Sequence, residues 1–199
     1  MSILIGLTGG IACGKSSVSK YLIKKGALVV DADQIARNIL APNSLGLQRV
    51  LERWGQKVLD VNGQVNRAYL GSIVFSDPKE RKALEAITHP LIAQESQSQI
   101  EDARSKKVPL IVYDAALLIE AGRSEQFRPL VVVTTSKEIQ KKRIMDRDHL
   151  AEAEALARIN SQLPLEDKEK LADYLIYNDG DWVKLYQQVD ELWQCYVVE

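Results

Sequence analysis

Cysteine and histidine, whose side chains can react or bind metals, are scarce in this 199-residue chain, which contains two of each. Two cysteines cannot build the disulfide framework of a small secreted domain, and no Cys/His cluster of the zinc-binding kind is present. Cys13 lies in a glycine-rich segment at the start of a predicted helix, where its pKa could be lowered. A small side chain that simply fits the loop is the favoured interpretation. The composition predicts a reducing compartment, and we expect a cytoplasmic protein.

Long apolar runs and an excess of one charge are also missing. The longest apolar stretches, around Leu110–Ile119 and Leu130–Val133, are too short to cross a bilayer. Because strand-like residues begin at Ile3, we expect no targeting signal. Basic residues number 26 and acidic residues 27, a net charge of −1. Bulk charge therefore favours neither nucleic acid nor a membrane as partner, and we expect small-molecule substrates and a monomer or weak homo-oligomer.

The segment Gly9–Ser16 is the most informative part of the chain. It has the form G-x-x-x-x-G-K-S, follows the apolar run Ile3–Leu7, and precedes a helix-like stretch from Ser17. In that setting the motif cradles nucleotide phosphates, because its glycines turn backbone N–H groups toward an anion at a helix N-terminus. Lys15 is predicted to reach the outer phosphates, and Ser16 to join a Mg²⁺ shell. We call Gly9–Ser16 the phosphate loop and predict a nucleoside triphosphate site there.

Four further apolar runs are typical of buried parallel strands: Ala27–Asp31, Pro109–Asp114, Pro129–Thr134 and Asp173–Tyr177. Helical patterns alternate with them. The pattern predicts an α/β fold in which helices cover both faces of a parallel sheet. We assign residues 1–34, 107–140 and 166–199 to this nucleotide-binding core.

Two segments between the strands are longer than a crossover needs. Residues 35–106 are predicted to form a helical domain that binds a second substrate. Its predicted elements are helices over Arg67–Phe75 after Asn66, from the N-cap pair Asp77-Pro78, and over Leu91–Lys106 after His89-Pro90. Residues 141–165 are predicted to form a lid, because Ser136 caps a helix on which Arg143 and Arg147 share one face.

Acidic residues end two of the predicted strands. Asp31 ends the second and Asp33 follows two residues later, at the edge where open α/β sheets bind ligands. We expect one of them to face the phosphate loop, and favour Asp33 as acceptor of a hydroxyl proton, with helix capping as its alternative role. Asp114 ends the next strand and is typical of a Mg²⁺-holding acid. Arginines on the lid helix could stabilise a transferring phosphoryl group, or be exposed surface charges.

In combination, these segments resemble the dephospho-coenzyme A kinase family from about Ile3 to Gly180. The matching stretches are Gly6-Leu7-Thr8-Gly9-Gly10-Ile11, Gly14-Lys15-Ser16, Asp31-Ala32-Asp33 with Ala36-Arg37, Arg67-x-x-Leu70, Val74-Phe75, His89-Pro90-Leu91-Ile92, Leu117-Leu118 with Glu120, Arg143 to Arg147-Asp148, and Ala172-Asp173 with Asn178. The phosphate loop alone occurs in a large superfamily, whereas this ordered combination is specific.

The resemblance implies ATP-dependent phosphorylation of the ribose 3′-hydroxyl of dephospho-CoA with Mg²⁺, the last step of coenzyme A synthesis. It also implies a five-stranded parallel core, a helical insertion that binds the coenzyme A part, and a mobile lid. The implied catalytic residues are Asp33 as general base, Lys15 and Arg143. The implied ATP-binding residues are Gly10, Ala12, Cys13, Gly14, Lys15, Ser16, Ser17, Arg143, Arg147 and, near the adenine, Asn178. The implied acceptor site comprises Thr8, Asp33, Arg37, Arg67, His89 and Asp114, and the implied metal site Ser16 and Asp114.

Some positions depart from the family pattern. Cys13 and Ser17 replace the usual serine and threonine, and Ala115-Ala116 replaces the commoner x-Pro. Because that proline fixes the turn after Asp114, the orientation of Asp114 is the least determined feature. Two alternatives stay open: a kinase acting on nucleoside monophosphates or another small alcohol, and a nucleotide-dependent switch. Asp60–Gly63 matches the D-x-x-G motif of switch proteins, but no convincing strand precedes it.

Overall fold

In the computed structural model, which describes residues 2–197, the sheet has five parallel strands in the order β2-β3-β1-β4-β5. The strands are β1 (Ile3–Gly9), β2 (Leu28–Asp31), β3 (Leu110–Asp114), β4 (Leu130–Thr134) and β5 (Tyr174–Tyr177). In the register of the central strands, Leu7 lies opposite Asp114 and Val131. The predicted α/β fold with a parallel sheet is confirmed.

Burial along β3 and β4 shows that both faces of the sheet are covered. Every residue of these two strands is buried, and successive side chains of a strand point to opposite faces. One face carries Val112 and Val131 in a core shared with Val18 and Leu185. Tyr113 lies on the other face and stacks on Phe127. Phe127 ends a short 3-10 helix, Ser124–Phe127, so helical residues cover both faces of the sheet, as the fold prediction expected.

Helices connect the strands and follow the last one. They are α1 (Lys15–Lys24), α2 (Ala32–Asn38), α3 (Leu45–Trp54), α4 (Arg67–Ser76), α5 (Pro78–Ser105), α6 (Lys137–Asp148), α7 (Glu152–Asn160), α8 (Leu165–Glu169) and α9 (Trp182–Val197). Within residues 2–197, no helix has the length and apolar character that crossing a membrane requires.

The chain divides into two compact units. One comprises residues up to Asp31 and from Asp102 onward, and the other comprises Ala32–Glu101. The second unit has its own core, in which Val50, Val58 and Leu70 are buried together. The domain and lid boundaries derived from the sequence remain predictions.

Of the three helix starts that the sequence predicts in the second unit, two are confirmed. Asn66 caps α4 by accepting the Tyr69 N–H at 3.0 Å, and Asp77 accepts the Lys79 N–H at 2.8 Å where Pro78 opens α5. A separate helix after His89-Pro90 is wrong, because α5 runs unbroken from Pro78 to Ser105 with Pro90 inside it. Proline deprives the carbonyl of Ala86 of its helical donor. Ala86 and Pro90 are both exposed, so water can satisfy that carbonyl and the helix continues.

Candidate active site

The phosphate loop joins the end of β1 to the start of α1 in a strained but well-braced conformation. Ala12 and Gly14 adopt positive φ angles of 60° and 89°. Such left-handed residues alternate with right-handed ones in anion-binding nests, where successive N–H groups converge. Gly14 is also the N-cap of α1, with no side chain to cover the helix N-terminus. The loop therefore presents backbone donors and a positive helix end to an anion.

Side chains from outside the loop bond three consecutive loop carbonyls. The pairs are Gln140 Nε2 with Ile11 O at 2.8 Å, Arg143 Nη1 with Ala12 O at 3.2 Å, and Asn178 Nδ2 with Cys13 O at 2.8 Å. In a nest the carbonyls point away from the anion while the N–H groups point toward it. Carbonyls engaged by protein donors match that orientation.

A cavity of about 630 Å³ opens on the phosphate loop. Besides loop residues, it is lined by Ala116, Arg143, Asp146, Arg147 and Gln162. Its volume falls in the range of nucleotide and cofactor sites. Ser136 caps α6 as predicted, accepting the Ile139 N–H at 3.3 Å, and α6 brings both predicted arginines to the cavity.

The two lid-helix arginines differ in their contacts. Arg143 donates to the loop and to the backbone oxygen of Asn178, at 3.0 Å. Arg147 forms a two-pronged pair with Asp148 at 2.8 and 2.9 Å and is more than half exposed. Arg143 is thus part of the loop's framework, whereas Arg147 is held at the cavity wall by an exposed ion pair.

Lys15 and Asp114 form an ion pair at the carboxyl edge of the sheet. Asp114 is 4% exposed, and its second oxygen accepts the Ser19 hydroxyl at 2.5 Å. Burial raises the pKa of the Asp114 carboxyl, and the Lys15 ammonium opposes that shift. Both carboxylate oxygens are therefore oriented by α1, so the absence of proline at position 116 leaves Asp114 well fixed.

Hydrogen bonds hold the turn after Asp114 in place of the missing proline. Ala115 N–H donates to Leu7 O at 3.0 Å, and the Thr8 hydroxyl donates to Ala116 O at 3.1 Å. Ala116 O also accepts from Lys168, a fully buried lysine whose ammonium pairs with Glu120 at 2.7 Å. Thr8, a predicted acceptor-site residue, is buried and used in this turn.

Cys13 is a buried packing residue. Burial outweighs the loop's hydrogen bonds and neighbouring positive charges, and it raises the pKa of the thiol to about 11. The suggestion of a lowered pKa is therefore wrong, since the side chain points into the core rather than toward solvent. The favoured interpretation, a small side chain that fits the loop, agrees with its burial beside Val18 and Ile176.

The remaining nucleotide-site candidates surround the start of α1. Ser16 is exposed and lines the cavity, and Ser17 donates its N–H to Gly14 O at 2.9 Å. Asn178 directly follows β5, is 5% exposed, and contacts Cys13 and Arg143. Its predicted position near an adenine stays a prediction.

The predicted acceptor residues of the second unit all have exposed side chains. Asp33 lies in the first turn of α2, which begins one residue earlier, and Arg37 in its last turn. Arg67 opens α4, and His89 lies in α5. Their roles in binding and catalysis stay predictions.

Sequence reasoning missed the uncharged side chains that hold the loop. Gln140 and Gln162 both bond Ile11, and Ser19 bonds Asp114. A lone amide or hydroxyl carries no charge pattern or motif. The available signal was that Gln140 precedes Arg143 by three residues, which places both on one face of a predicted helix.

A Gly-x-x-x-x-Gly-Lys-Ser loop after the central strand of a five-stranded parallel sheet places this chain in the phosphate-loop class of nucleotide-binding proteins. The solved shikimate kinase of Acinetobacter baumannii has this fold, with a TM-score of 0.53 at 16% identity over 97% of this chain and 92% of that one. A sequence model of the dephospho-CoA kinase family, CoaE, matches residues 3–184. This chain belongs to the dephospho-CoA kinase family.

Individual members of this family are similar to this chain over nearly its whole length. The dephospho-CoA kinase of Geobacter sulfurreducens is 42% identical over 190 residues, 96% of each chain. That of Syntrophotalea carbinolica is 43% identical over 94% of this chain and 89% of its own. The solved dephospho-CoA kinase of Campylobacter jejuni superimposes with a TM-score of 0.73 at 32% identity, covering 100% of this chain and 98% of that one. The family resemblance drawn from the sequence is confirmed.

Proposed function

We propose that this chain transfers the terminal phosphoryl group of ATP to the ribose 3′-hydroxyl of dephospho-CoA, giving coenzyme A. The observation that supports this most directly is the braced phosphate loop at a cavity of about 630 Å³, next to Lys15 and Arg143. Phosphoryl transfer needs positioning and charge stabilisation more than covalent chemistry, and these residues supply both.

The triphosphate would bind loop N–H groups and the N-terminus of α1, at Gly10, Ala12, Cys13, Gly14, Lys15, Ser16 and Ser17. Lys15 is the cation nearest the bound outer phosphates in this proposal, since its flexible stem lets the ammonium exchange Asp114 for a phosphate oxygen. Arg143, fixed against the loop, would stabilise charge that develops on the transferred group. Arg147 would leave its exposed pair with Asp148 to join it, and Asn178 would lie near the adenine.

The oxygen ligands available at the loop fit Mg²⁺. Magnesium keeps several waters and usually takes one or two protein oxygens beside substrate phosphates. Ser16 offers an exposed hydroxyl at the cavity, and Asp114 a carboxylate oriented by Ser19. Within residues 2–197 there is no group of three or more His, Cys, Asp or Glu side chains that could hold a metal by itself. Ser16 and Asp114 would hold the ion with ATP, where it would neutralise phosphate charge.

Asp33 is the proposed general base for the acceptor hydroxyl. β1 and β2 are parallel members of one sheet, so their carboxyl ends lie at the same edge, and Asp33 follows the end of β2 by two residues. Arg37, Arg67 and His89 offer cationic or polar groups suited to the acceptor's phosphates and ribose, with Thr8 and Asp114 completing the proposed site. Residues 35–106 would be the acceptor domain, and residues 141–165 a lid that excludes water.

The test is direct. Purified protein with ATP, Mg²⁺ and dephospho-CoA should yield a product one phosphate heavier by mass spectrometry, with the new phosphate on the 3′-oxygen by ³¹P–¹H NMR. A panel of nucleoside monophosphates and small alcohols should give at least a hundredfold lower kcat/KM. Preferential phosphorylation of a panel member would overturn the assigned acceptor while keeping the kinase.

The switch alternative gains no support from the fold of its motif. Asp60–Gly63 forms an exposed turn in the second unit, where Asp60 accepts the N–H groups of Asn62 and Gln64. It joins Leu59 to Val65 by an antiparallel bridge rather than following a strand of the parallel sheet. Slow ATP hydrolysis without any phosphorylated small molecule would be the result that revives this alternative.

A further inference from the structure

Two glutamine side chains hydrogen-bond the backbone N–H and carbonyl groups of Ile11. Gln140 Nε2 donates to Ile11 O at 2.8 Å, and Ile11 N–H donates to Gln162 Oε1, also at 2.8 Å. Gln140 is 3% exposed on α6, and Gln162 follows α7 and lines the nucleotide cavity. We call this pair the Ile11 clamp. It uses a donor on one side and an acceptor on the other, so both backbone groups of Ile11 are satisfied by side chains.

The residue after Ile11 explains why such a clamp is needed. Ala12 has a φ of 60°, a left-handed conformation that costs energy for any residue with a Cβ. If the peptide groups on its amino-terminal side were free to rotate, the loop would relax, and a carbonyl would replace an N–H on the anion-binding side. The clamp fixes those peptide groups, while Arg143 and Asn178 hold the next two carbonyls.

We propose that Gln140 and Gln162 are positioning residues that hold the phosphate loop in its anion-binding conformation before nucleotide arrives. The proposal rests on the phosphotransferase activity above. When only a fraction of the protein has the conformation that binds a ligand, the apparent dissociation constant rises by the same factor as that fraction falls. Loss of the clamp therefore raises the KM for ATP and spares the turnover of the loaded enzyme.

The kinetic test uses Gln140→Met and Gln162→Met, which keep side-chain length and remove the amide. Each should raise the KM for ATP about tenfold, with kcat and the KM for dephospho-CoA within about threefold of the unsubstituted protein. Gln162 is only partly buried, so its variant tests the idea even if Gln140→Met folds poorly. Unchanged KM values for ATP in a folded Gln162→Met protein would overturn the proposal, as would equal rises for both substrates.

A matched control comes from a second amide clamp elsewhere. Gln188 accepts the Tyr177 N–H at 2.8 Å and donates to Tyr177 O at 2.9 Å, the same two bonds made by one side chain. The next residue, Asn178, keeps its own N–H bond to Thr134 O at 2.8 Å. Gln188→Met should therefore leave the KM for ATP within about twofold, and a rise equal to that of Gln140→Met would overturn a specific role for the Ile11 clamp.

Hydrogen exchange of the Ile11 amide separates positioning from space filling, without nucleotide or turnover. Gln162→Met should speed its exchange at least tenfold, whereas Gln162→Glu, which keeps the accepting oxygen, should retain most of the protection. Equal exchange in both variants and the unsubstituted protein would refute the clamp. This readout stands even if dephospho-CoA proved not to be the acceptor, so failure of the clamp and failure of the proposed reaction are distinguishable.

Discussion

The side-chain amide of Asn178 lies directly against the backbone of Gly14. A Cβ on Gly14 would stand 1.9 Å from Asn178 Nδ2, the same nitrogen that donates to Cys13 O at 2.8 Å. The end of β5 and the start of α1 are therefore locked together at the phosphate loop. Glycine at position 14 is required twice, by its φ of 89° and by this close approach.

Gly14→Ala should abolish ATP-dependent activity and lower the free energy of unfolding by about 2–4 kcal/mol, because left-handed strain adds to displacement of Asn178. Gly122→Ala is the matched control. Gly122 has a φ of 66°, and a Cβ added there would meet no atom within 4 Å. It should lose only about 1–2 kcal/mol and keep its activity. Urea unfolding and initial rates check both, and equal losses of stability would mean that the contact with Asn178 is unimportant.

Lys15→Met should remove activity and leave a folded chain that is less stable at pH 7 by about 1–3 kcal/mol, because the buried Asp114 loses its counter-ion. Burial already raises the pKa of Asp114, so the folded state disfavours its charged form. The loss of stability relative to the unsubstituted protein is therefore largest at pH values above the pKa of Asp114 in the folded variant. It shrinks as the pH falls toward the pKa of Asp114 in the unfolded chain. Lys15→Met/Asp114→Asn should regain stability at pH 7 and stay inactive. Retained ATP turnover in Lys15→Met would contradict the loop assignment.

Asp33→Asn should lower kcat by roughly a hundredfold to ten-thousandfold, the usual contribution of a general base. ATP affinity should change by less than about threefold, since Asp33 is not proposed to contact the nucleotide. Asp31→Asn is the control, because Asp31 is also an exposed carboxylate at the end of β2. It should keep kcat within about fivefold. If the two variants exchanged these results, the base would be Asp31.

The buried thiol of Cys13 should make the protein less stable in alkali. Its pKa is raised from 9.0 to about 11 in the folded state, so the unfolded chain loses that proton first, and stability falls as pH rises between the two values. The loss should be about 2 kcal/mol between pH 8.5 and 10.5. Cys13→Ala should lack this component while keeping every other titrating group. Parallel pH slopes for the two proteins in urea unfolding would show that Cys13 is not buried in this way.

Local signals in the sequence were sufficient for most of the fold. The apolar runs gave the strands because β3 and β4 are buried on both faces and need continuous hydrophobicity. Asn66, Asp77 and Ser136 marked helix starts correctly, since a cap acts within three residues of itself. The helix start predicted after Pro90 was wrong. Proline usually interrupts a helix because it removes one backbone hydrogen bond, but an exposed helix face tolerates that loss.

Some residues of the candidate site could be predicted from the sequence, and others could not. The phosphate loop, Lys15 and Asp114 were found because their chemistry is tied to a motif or a strand end. Gln140, Gln162 and the Lys168–Glu120 pair were not, because neutral amides and buried ion pairs acquire a role only through contacts that span long stretches of chain.

The sequence by itself determined the kind of protein: a parallel sheet, an anion-binding loop at its edge, and membership of one kinase family. Each depends on residue order within short segments or on their succession along the chain. Only the tertiary structure decided which way the loop groups face, that Cys13 is buried, and that Asn178 leaves no room for a side chain at Gly14. Those properties depend on burial and on atoms more than a hundred residues apart in the chain, and pattern along the sequence does not encode such distances.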